Sequence, residues 1–248
     1  MIIYGLIGNP LSHSGSGSWF AEKLRKEGKS GYHYLNFPLS SLDELPILLR
    51  KHPGLTGLNV TIPYKEQIIP WLEELDPKAG KIGAVNTILI RREKGHIHLK
   101  GFNTDADGFL QSADFSGHRQ ALILGTGGAA KAVAFALAGQ GISFLFVSRS
   151  KKSADHISYP ELSEEVFSSH TLIVNATPLG MFPSEDTFPP IPYHFLSENH
   201  FLYDLVYNPG MTIFLKRGSA AGATVQNGLR MLEIQAELSY RIWNESRE

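Results

Sequence analysis

Residues 120–130 read Gln120-Ala121-Leu122-Ile123-Leu124-Gly125-Thr126-Gly127-Gly128-Ala129-Ala130. An apolar run passes directly into Gly125-x-Gly127-x-x-Ala130, and a strongly apolar helical pattern follows to about Ala138. Gly125 permits a tight strand-to-helix turn, and Gly127 lets the backbone approach a pyrophosphate. The small side chain of Ala130 lets helix and strand pack closely, with the phosphates at the helix N-terminus. Gly128 and Ala129 complete the turn. Glycine-rich turns also occur where a βα connection is merely short, so the weight lies in the context: a strand before, a helix after.

About twenty residues further on, a chain that reads NAD places Asp or Glu to hold the ribose 2′-hydroxyl. This chain has Ser148-Arg149-Ser150-Lys151-Lys152 instead. Arg149, flanked by Ser148 and Ser150, offers a planar fork that pairs with phosphate oxygens, which favours NADP(H); the bland alternative is a solvated basic turn.

Outward from the turn, Ile142–Val147, Leu172–Asn175, Phe201–Leu205 and Ala223–Val225 read as further buried strands with helices between them. Such alternation predicts a doubly wound parallel sheet. A last long helix, Leu229–Trp243, has apolar residues at helical spacing. The first hundred residues form another α/β region: strands at Ile2–Ile7, Tyr32–Phe37 and Leu55–Ile62, and helices at Trp19–Glu27, from the Ser41/Glu44 capping box to about Arg50, and over Lys65–Leu75 with Pro70 inside it. Ala84–Ile90 and His96–Leu99 around Lys94-Gly95 predict a hairpin, and Asp105–Ala113 a helix. The expected fold class is therefore α/β, two α/β domains around a cleft. Residues 1–104 with about 229–248 make the first domain, and 105–228 the second, Rossmann-like one.

Composition is ordinary for a soluble chain able to bury a core. The chain has 248 residues, 42% hydrophobic and 19% charged, with a net charge of −1. Such a balance argues against a nucleic-acid partner. The absence of cysteine excludes disulfides, thiolate catalysis and Cys-ligated metals. No apolar run approaches the roughly 18 residues that span a bilayer, and the N-terminus lacks a basic segment before its apolar residues, so a cytoplasmic location and no membrane partner are expected. His96 and His98 share a strand face without a third ligand, and no metal site is expected.

Polar residues gather at strand ends in the first region: His13-Ser14-Gly15-Ser16, Asn59 to Lys65, Val85-Asn86-Thr87 and Asn103-Thr104-Asp105. Each has a structural explanation as cap, turn or surface residue. Together they describe a pocket of hydroxyls, amides, one cation and one anion, suited to a small polyhydroxylated carboxylate.

Eight ordered motifs give the chain a resemblance to the shikimate dehydrogenases. They are Gly8-Asn9-Pro10-Leu11-Ser12-His13-Ser14-Gly15-Ser16, Asn59-Val60-Thr61-Ile62-Pro63-Tyr64-Lys65, Ala84-Val85-Asn86-Thr87, Gly101-Phe102-Asn103-Thr104-Asp105, Gly125–Ala130, Asn175-Ala176-Thr177-Pro178-Leu179-Gly180-Met181, Tyr203-Asp204-Leu205-Val206-Tyr207-Asn208-Pro209, and Asn227-Gly228-Leu229-Arg230-Met231-Leu232 with Gln235-Ala236. They run from residue 8 to 236. The resemblance implies that Ser14 and Ser16 hold the substrate carboxylate, assisted by Tyr207, and that Thr61, Asn86 and Gln235 bind ring hydroxyls. Lys65 and Asp105 would be the catalytic pair. Asn175, Ala176 and Thr177 would line the dinucleotide near its ribose, with Gly228 and Met231 beside the nicotinamide.

Three departures stand out: Gly17 replaces a usual proline, Ser148-Arg149-Ser150 replaces Asn-Arg-Thr, and the stretch from Lys151 to Ser169 is short and interrupted by Pro160. They bear on cofactor affinity more than on reaction type. The implied activity is NADPH-dependent reversible reduction of 3-dehydroshikimate to shikimate, a step of chorismate and aromatic amino acid biosynthesis, by a monomer or homodimer. Two alternatives stay open: a quinate/shikimate dehydrogenase, disfavoured by the retention of both serines, and a catalytically silent cofactor-binding sensor, disfavoured by intact Lys65 and Asp105.

Overall fold

The computed structural model describes residues 1–11, 15–150 and 153–245. The chain forms two units. Residues 1–105 and 233–248 make the first, and residues 106–232 the second. Asp105, expected to open the second region, groups with the first.

The first unit opens with β1 (Ile2–Gly8), α1 (Ser16–Lys26), β2 (Tyr32–Pro38), α2 (Leu45–Lys51) and β3 (Leu55–Val60). It continues through α3 (Tyr64–Gln67), β4 (Glu74–Leu75), α4 (Pro77–Ile82), β5 (Thr87–Glu93) and β6 (His96–Phe102), with α5 (Asp105–Leu110) starting at its edge. The sheet order is β2-β1-β3-β5-β6-β4. β1 pairs in parallel with β2 and β3, whereas β5 is antiparallel to β3 and β6. Side chains alternate across β1: Ile3 and Ile7 join a core with Leu45, Leu55, Leu58 and Ile88, and Tyr4 joins a second one with Phe20, Leu24, Tyr240 and Trp243. Both sheet faces are therefore covered, and β1 is apolar throughout. α1 contributes Ser16, Phe20 and Leu24, one residue per turn on its buried face.

The second unit contains β7 (Gln120–Leu124), α6 (Gly128–Gly139), β8 (Ser143–Ser148), β9 (His156–Ser158), α7 (Glu164–Ser169), β10 (Leu172–Asn175), β11 (Phe201–Asp204), α8 (Ile213–Ala220) and β12 (Thr224–Gln226). Every pairing is parallel, in the order β12-β11-β10-β7-β8-β9. Strand order reverses between β7 and β10, the switch point at which doubly wound sheets take ligands beyond their strand C-termini.

The chain returns to the first unit within the last helix, α9 (Leu229–Glu245). Trp243 of α9 is fully buried over Gly57 of β3, where a β-carbon would collide with the indole ring. The indole N–H donates to the Ile88 carbonyl at 3.0 Å.

Several local expectations are corrected. The helix expected over Lys65–Leu75 stops at Gln67; a 3-10 turn at Ile69–Trp71 and β4 follow. Pro70 has no N–H to continue an α-helix and would press on the carbonyl one turn back. β3 ends at Val60, not Ile62, and Ala84–Asn86 is not strand because the Val85 N–H goes to the Lys65 carbonyl. The capping box at Ser41 and Glu44 is present, but it opens a 3-10 turn that runs into α2. The short 151–169 stretch holds β9 and the six-residue α7, with Pro160 in a 3-10 turn between them.

Candidate active site

Lys65 reaches its place through a turn with fixed partners. Beyond β3 the Thr61 N–H donates to the Ile7 carbonyl, and the Tyr64 N–H to Thr61. The buried Tyr64 hydroxyl donates to the Leu39 carbonyl at 2.6 Å, so α3 is tied down just before Lys65. The Lys65 carbonyl in turn accepts the Val85 N–H at 2.7 Å. Asp105, first residue of α5, arrives from the end of β6. The Lys65 ammonium donates to Asp105 Oδ2 at 2.6 Å, with side chains 16% and 5% exposed. Two distant stretches thus deliver a close ion pair whose cation keeps partial access to solvent.

Asn86 joins this pair to the last helix. Its Nδ2 lies 2.8 Å from Thr104 Oγ1, 2.9 Å from Asp105 Oδ1 and 3.2 Å from Gln235 Oε1, and its Oδ1 accepts the Thr104 N–H at 2.7 Å. Lys65, Asp105, Asn86 and Gln235 are therefore brought together by direct contacts. Thr61 is half-buried directly after β3. Ser16 is the first residue of α1 and is buried. Ser14 and His13 lie outside the described residues. Tyr207, expected to assist the serines, is half-buried in the second unit.

Beneath these groups lies an interior layer that joins three members of the polar clusters to Ser239, a residue to which sequence reasoning gave no role. Asn59, Thr87, Thr104 and Ser239 are all buried and bonded to one another. The Tyr34 hydroxyl donates to Asn59 Oδ1 at 3.0 Å. The one sequence signal for Ser239 is its position four residues after Gln235, on the same helical face.

In the second unit, strand register sets the C-terminal residues of β7, β8, β10 and β11 along one sheet edge: Leu124 is level with Val147 and Asn175, and Asn175 with Asp204. Gly125 has φ +105, and a β-carbon there would press on the Ala176 carbonyl and Thr177 Cγ2, each 3.2 Å away. Only glycine holds that conformation without strain. Gly127 caps α6 with open space where a side chain would be, and Gly128 and Ala129 form the first turn, over the fully buried Ala130. The first amides of a helix lack intrahelical acceptors, so this N-terminus, with no side chain on Gly127 to obstruct it, fits a pyrophosphate. Arg149 is exposed beyond β8, where the Ser148 hydroxyl closes the turn on the Ser150 carbonyl.

Asn175 is fully buried, and its amide is committed to the protein: Nδ2 donates to Asp204 Oδ1 at 2.9 Å, while Oδ1 accepts both the N–H and the hydroxyl of Thr177. Ala176 and Thr177 are the half-exposed members of that segment. Asp204 is a fully buried carboxylate holding Asn175, the Val206 N–H and, at 2.6 Å, the Thr212 hydroxyl. Burial pushes its pKa up to about 6, against the lowering effect of those three donors. Gly228 precedes α9, its N–H on the Val206 carbonyl, and Met231 is buried one turn on.

Among the described residues, no group of three or more His, Asp or Glu is arranged to hold a metal ion.

The family model described as "Shikimate dehydrogenase substrate binding domain" matches residues 6–88. A shikimate dehydrogenase (NADP(+)) of Syntrophomonas wolfei is 38% identical over 97% of this chain and 88% of its own length. Among solved structures, shikimate dehydrogenase 1 of Peptoclostridium difficile is 38% identical with a TM-score of 0.86, covering 99% of this chain and 92% of that one. The Thermus thermophilus shikimate 5-dehydrogenase, solved with NADP(H) and shikimate, is 34% identical with a TM-score of 0.84, covering 99% and 94%. The chain belongs to the shikimate dehydrogenase family.

Proposed function

We propose that this chain catalyses the reversible NADPH-dependent reduction of 3-dehydroshikimate to shikimate. The observation that carries the reading is the Lys65–Asp105 pair joined to Asn86 and Gln235, in a chain 38% identical to a shikimate dehydrogenase (NADP(+)). The first unit is read as the substrate domain and the second as the NADP domain. NADPH, when bound, supplies the hydride for the ketone carbon. Gly125 to Ala130 would cradle its pyrophosphate, Arg149 with Ser148 and Ser150 its 2′-phosphate, and Ala176 and Thr177 its ribose. Gly228 and Met231 would flank the nicotinamide.

The remaining chemistry belongs to the first unit. As the ketone is reduced, its oxygen gains negative charge; the Lys65 ammonium stabilises that charge and gives up a proton to it. In the oxidative direction the Lys65 amine takes the proton back. Asp105 aims the amine through Oδ2 while Asn86 fixes the same carboxylate through Oδ1, so the base cannot swing away from the reacting carbon. Asn86, Gln235 and Thr61 supply donors and acceptors for ring hydroxyls, and Ser14 and Ser16 for the carboxylate, with Tyr207 assisting.

No helix among the described residues is long and apolar enough to cross a membrane; the enzyme is read as cytoplasmic, a monomer or homodimer acting on small metabolites. The deciding experiment measures reduced nicotinamide absorbance with shikimate and quinate against NADP and NAD. Turnover with shikimate and NADP supports the reading, and no turnover with either acid sinks it.

A further inference from the structure

We propose that Ser239 is a positioning residue for the substrate site, the hydroxyl through which α9 sets Gln235 against Asn86. This rests on the reading of that site given above.

Ser239 Oγ is fully buried and meets four polar atoms: the Gln235 carbonyl at 2.9 Å, Thr87 Oγ1 at 2.7 Å, Asn59 Nδ2 at 3.0 Å and Thr104 Oγ1 at 3.2 Å. One proton arrangement satisfies the whole group. Ser239 donates back to the Gln235 carbonyl in its own helix and accepts from Thr87 and Asn59, which uses its one donor and two acceptor sites. Thr104 then donates to the same Gln235 carbonyl at 3.1 Å. The two Asn86 amide protons go to Thr104 Oγ1 and Asp105 Oδ1, and Gln235 Oε1 is the longest of the three contacts of Asn86 Nδ2.

In this arrangement the Gln235 carbonyl is held from two sides, by a residue adjacent to Asp105 and by a hydroxyl that is itself clamped by β3-end and β5-start residues. The backbone from which the Gln235 side chain extends is thereby tied to the strands that carry Asn59 and Thr87, the latter next to Asn86. The other α9 hydroxyl among the described residues, that of Tyr240, bonds Glu27 instead, and the hydrogen bond from Trp243 to Ile88 of β5 lies a full turn away from Ser239 and two turns from Gln235.

Removing the Ser239 hydroxyl leaves each neighbour a second partner. Thr87 can turn to Asn86 Oδ1 at 3.2 Å, Asn59 keeps the Asn86 carbonyl, and the Gln235 carbonyl keeps Thr104. A Ser239→Ala chain therefore has no orphaned polar group to unfold it, and the loss falls on the placement of Gln235.

The test measures shikimate and NADP KM, kcat and Tm for Ser239→Ala and the near-isosteric Ser239→Cys, alone and combined with Gln235→Ala. Both single variants should raise shikimate KM about fivefold, the equivalent of one ordinary buried hydrogen bond, with NADP KM unchanged. On the Gln235→Ala background the same change should add nothing, because Ser239 acts through Gln235. Trp243→Phe, which removes a different α9 hydrogen bond, should lower Tm and leave shikimate KM unchanged. Unchanged shikimate KM in Ser239→Ala or Ser239→Cys overturns the proposal, as does a fivefold effect that persists on the Gln235→Ala background. A wild-type enzyme inactive with shikimate would instead overturn the functional reading.

Discussion

Lys65 Nζ and Asp105 Oδ2 lie 2.6 Å apart although the two residues are 40 positions apart in the chain, and Asp105 Oδ1 is held at the same time by Asn86. The carboxylate spans between an ammonium and a neutral amide. Its two oxygens are therefore not interchangeable.

Replacement of Lys65 by alanine removes the only cation in contact with Asp105 among the contacts described. Turnover should fall by about a hundredfold to ten-thousandfold, the usual contribution of a general acid–base group, while shikimate binding stays measurable by calorimetry. Near-normal turnover would discard the assignment.

Arg149→Ala should raise the NADP KM about tenfold, the loss of roughly one charge-assisted hydrogen bond. The KM for NAD, which lacks the 2′-phosphate, should barely change. Parallel effects on the two cofactors would show that Arg149 reads something else.

Asp204 gives a pH-dependent stability of defined sign. Its pKa rises from 3.8 to about 6 on folding, so the folded state binds more protons between those values. Its contribution is fully present below about pH 4 and is lost as pH rises through about 6. Asp204→Asn has no such titration. The unfolding free energy of the wild type relative to this variant should drop by roughly 3 kcal/mol between pH 3 and 8, read from denaturant melts at stepped pH; parallel curves would contradict it.

Gly125→Ala forces a β-carbon into φ +105 and against the Ala176 carbonyl. The expected cost is about 1–3 kcal/mol of stability, seen as a lower Tm, with weaker NADP binding. Gly127→Ala, whose β-carbon meets nothing within 4 Å, should keep the wild-type Tm.

The second unit was the more legible in sequence, because β7, its glycine turn and α6 follow one another and local pattern decides each. Lys65, Asp105, Asn86 and Gln235 were legible through motifs, and the structure adds their mutual distances. What escaped was non-local or brief. Pro70 flagged an interruption, but no local signal told that the chain would turn into the two-residue β4, which forms because β6 is there to pair with it. β9 has only three residues, too few to show a period. Ser239 reads as an ordinary polar residue on an amphipathic helix; its partners Thr87 and Asn59 lie 152 and 180 residues earlier, and no spacing rule links them.

The division of the first unit into two chain segments has a consequence for how the protein is made. Residues 1–105 leave the ribosome with Lys65 and Asp105 already present, yet Gln235, Ser239 and the indole that fills the space over Gly57 are translated more than a hundred residues later. The intervening unit has all its strands by then. The order of birth is thus the reverse of the order of completion: the domain begun first must wait, with part of its interior open, for the final turns of α9 to close it.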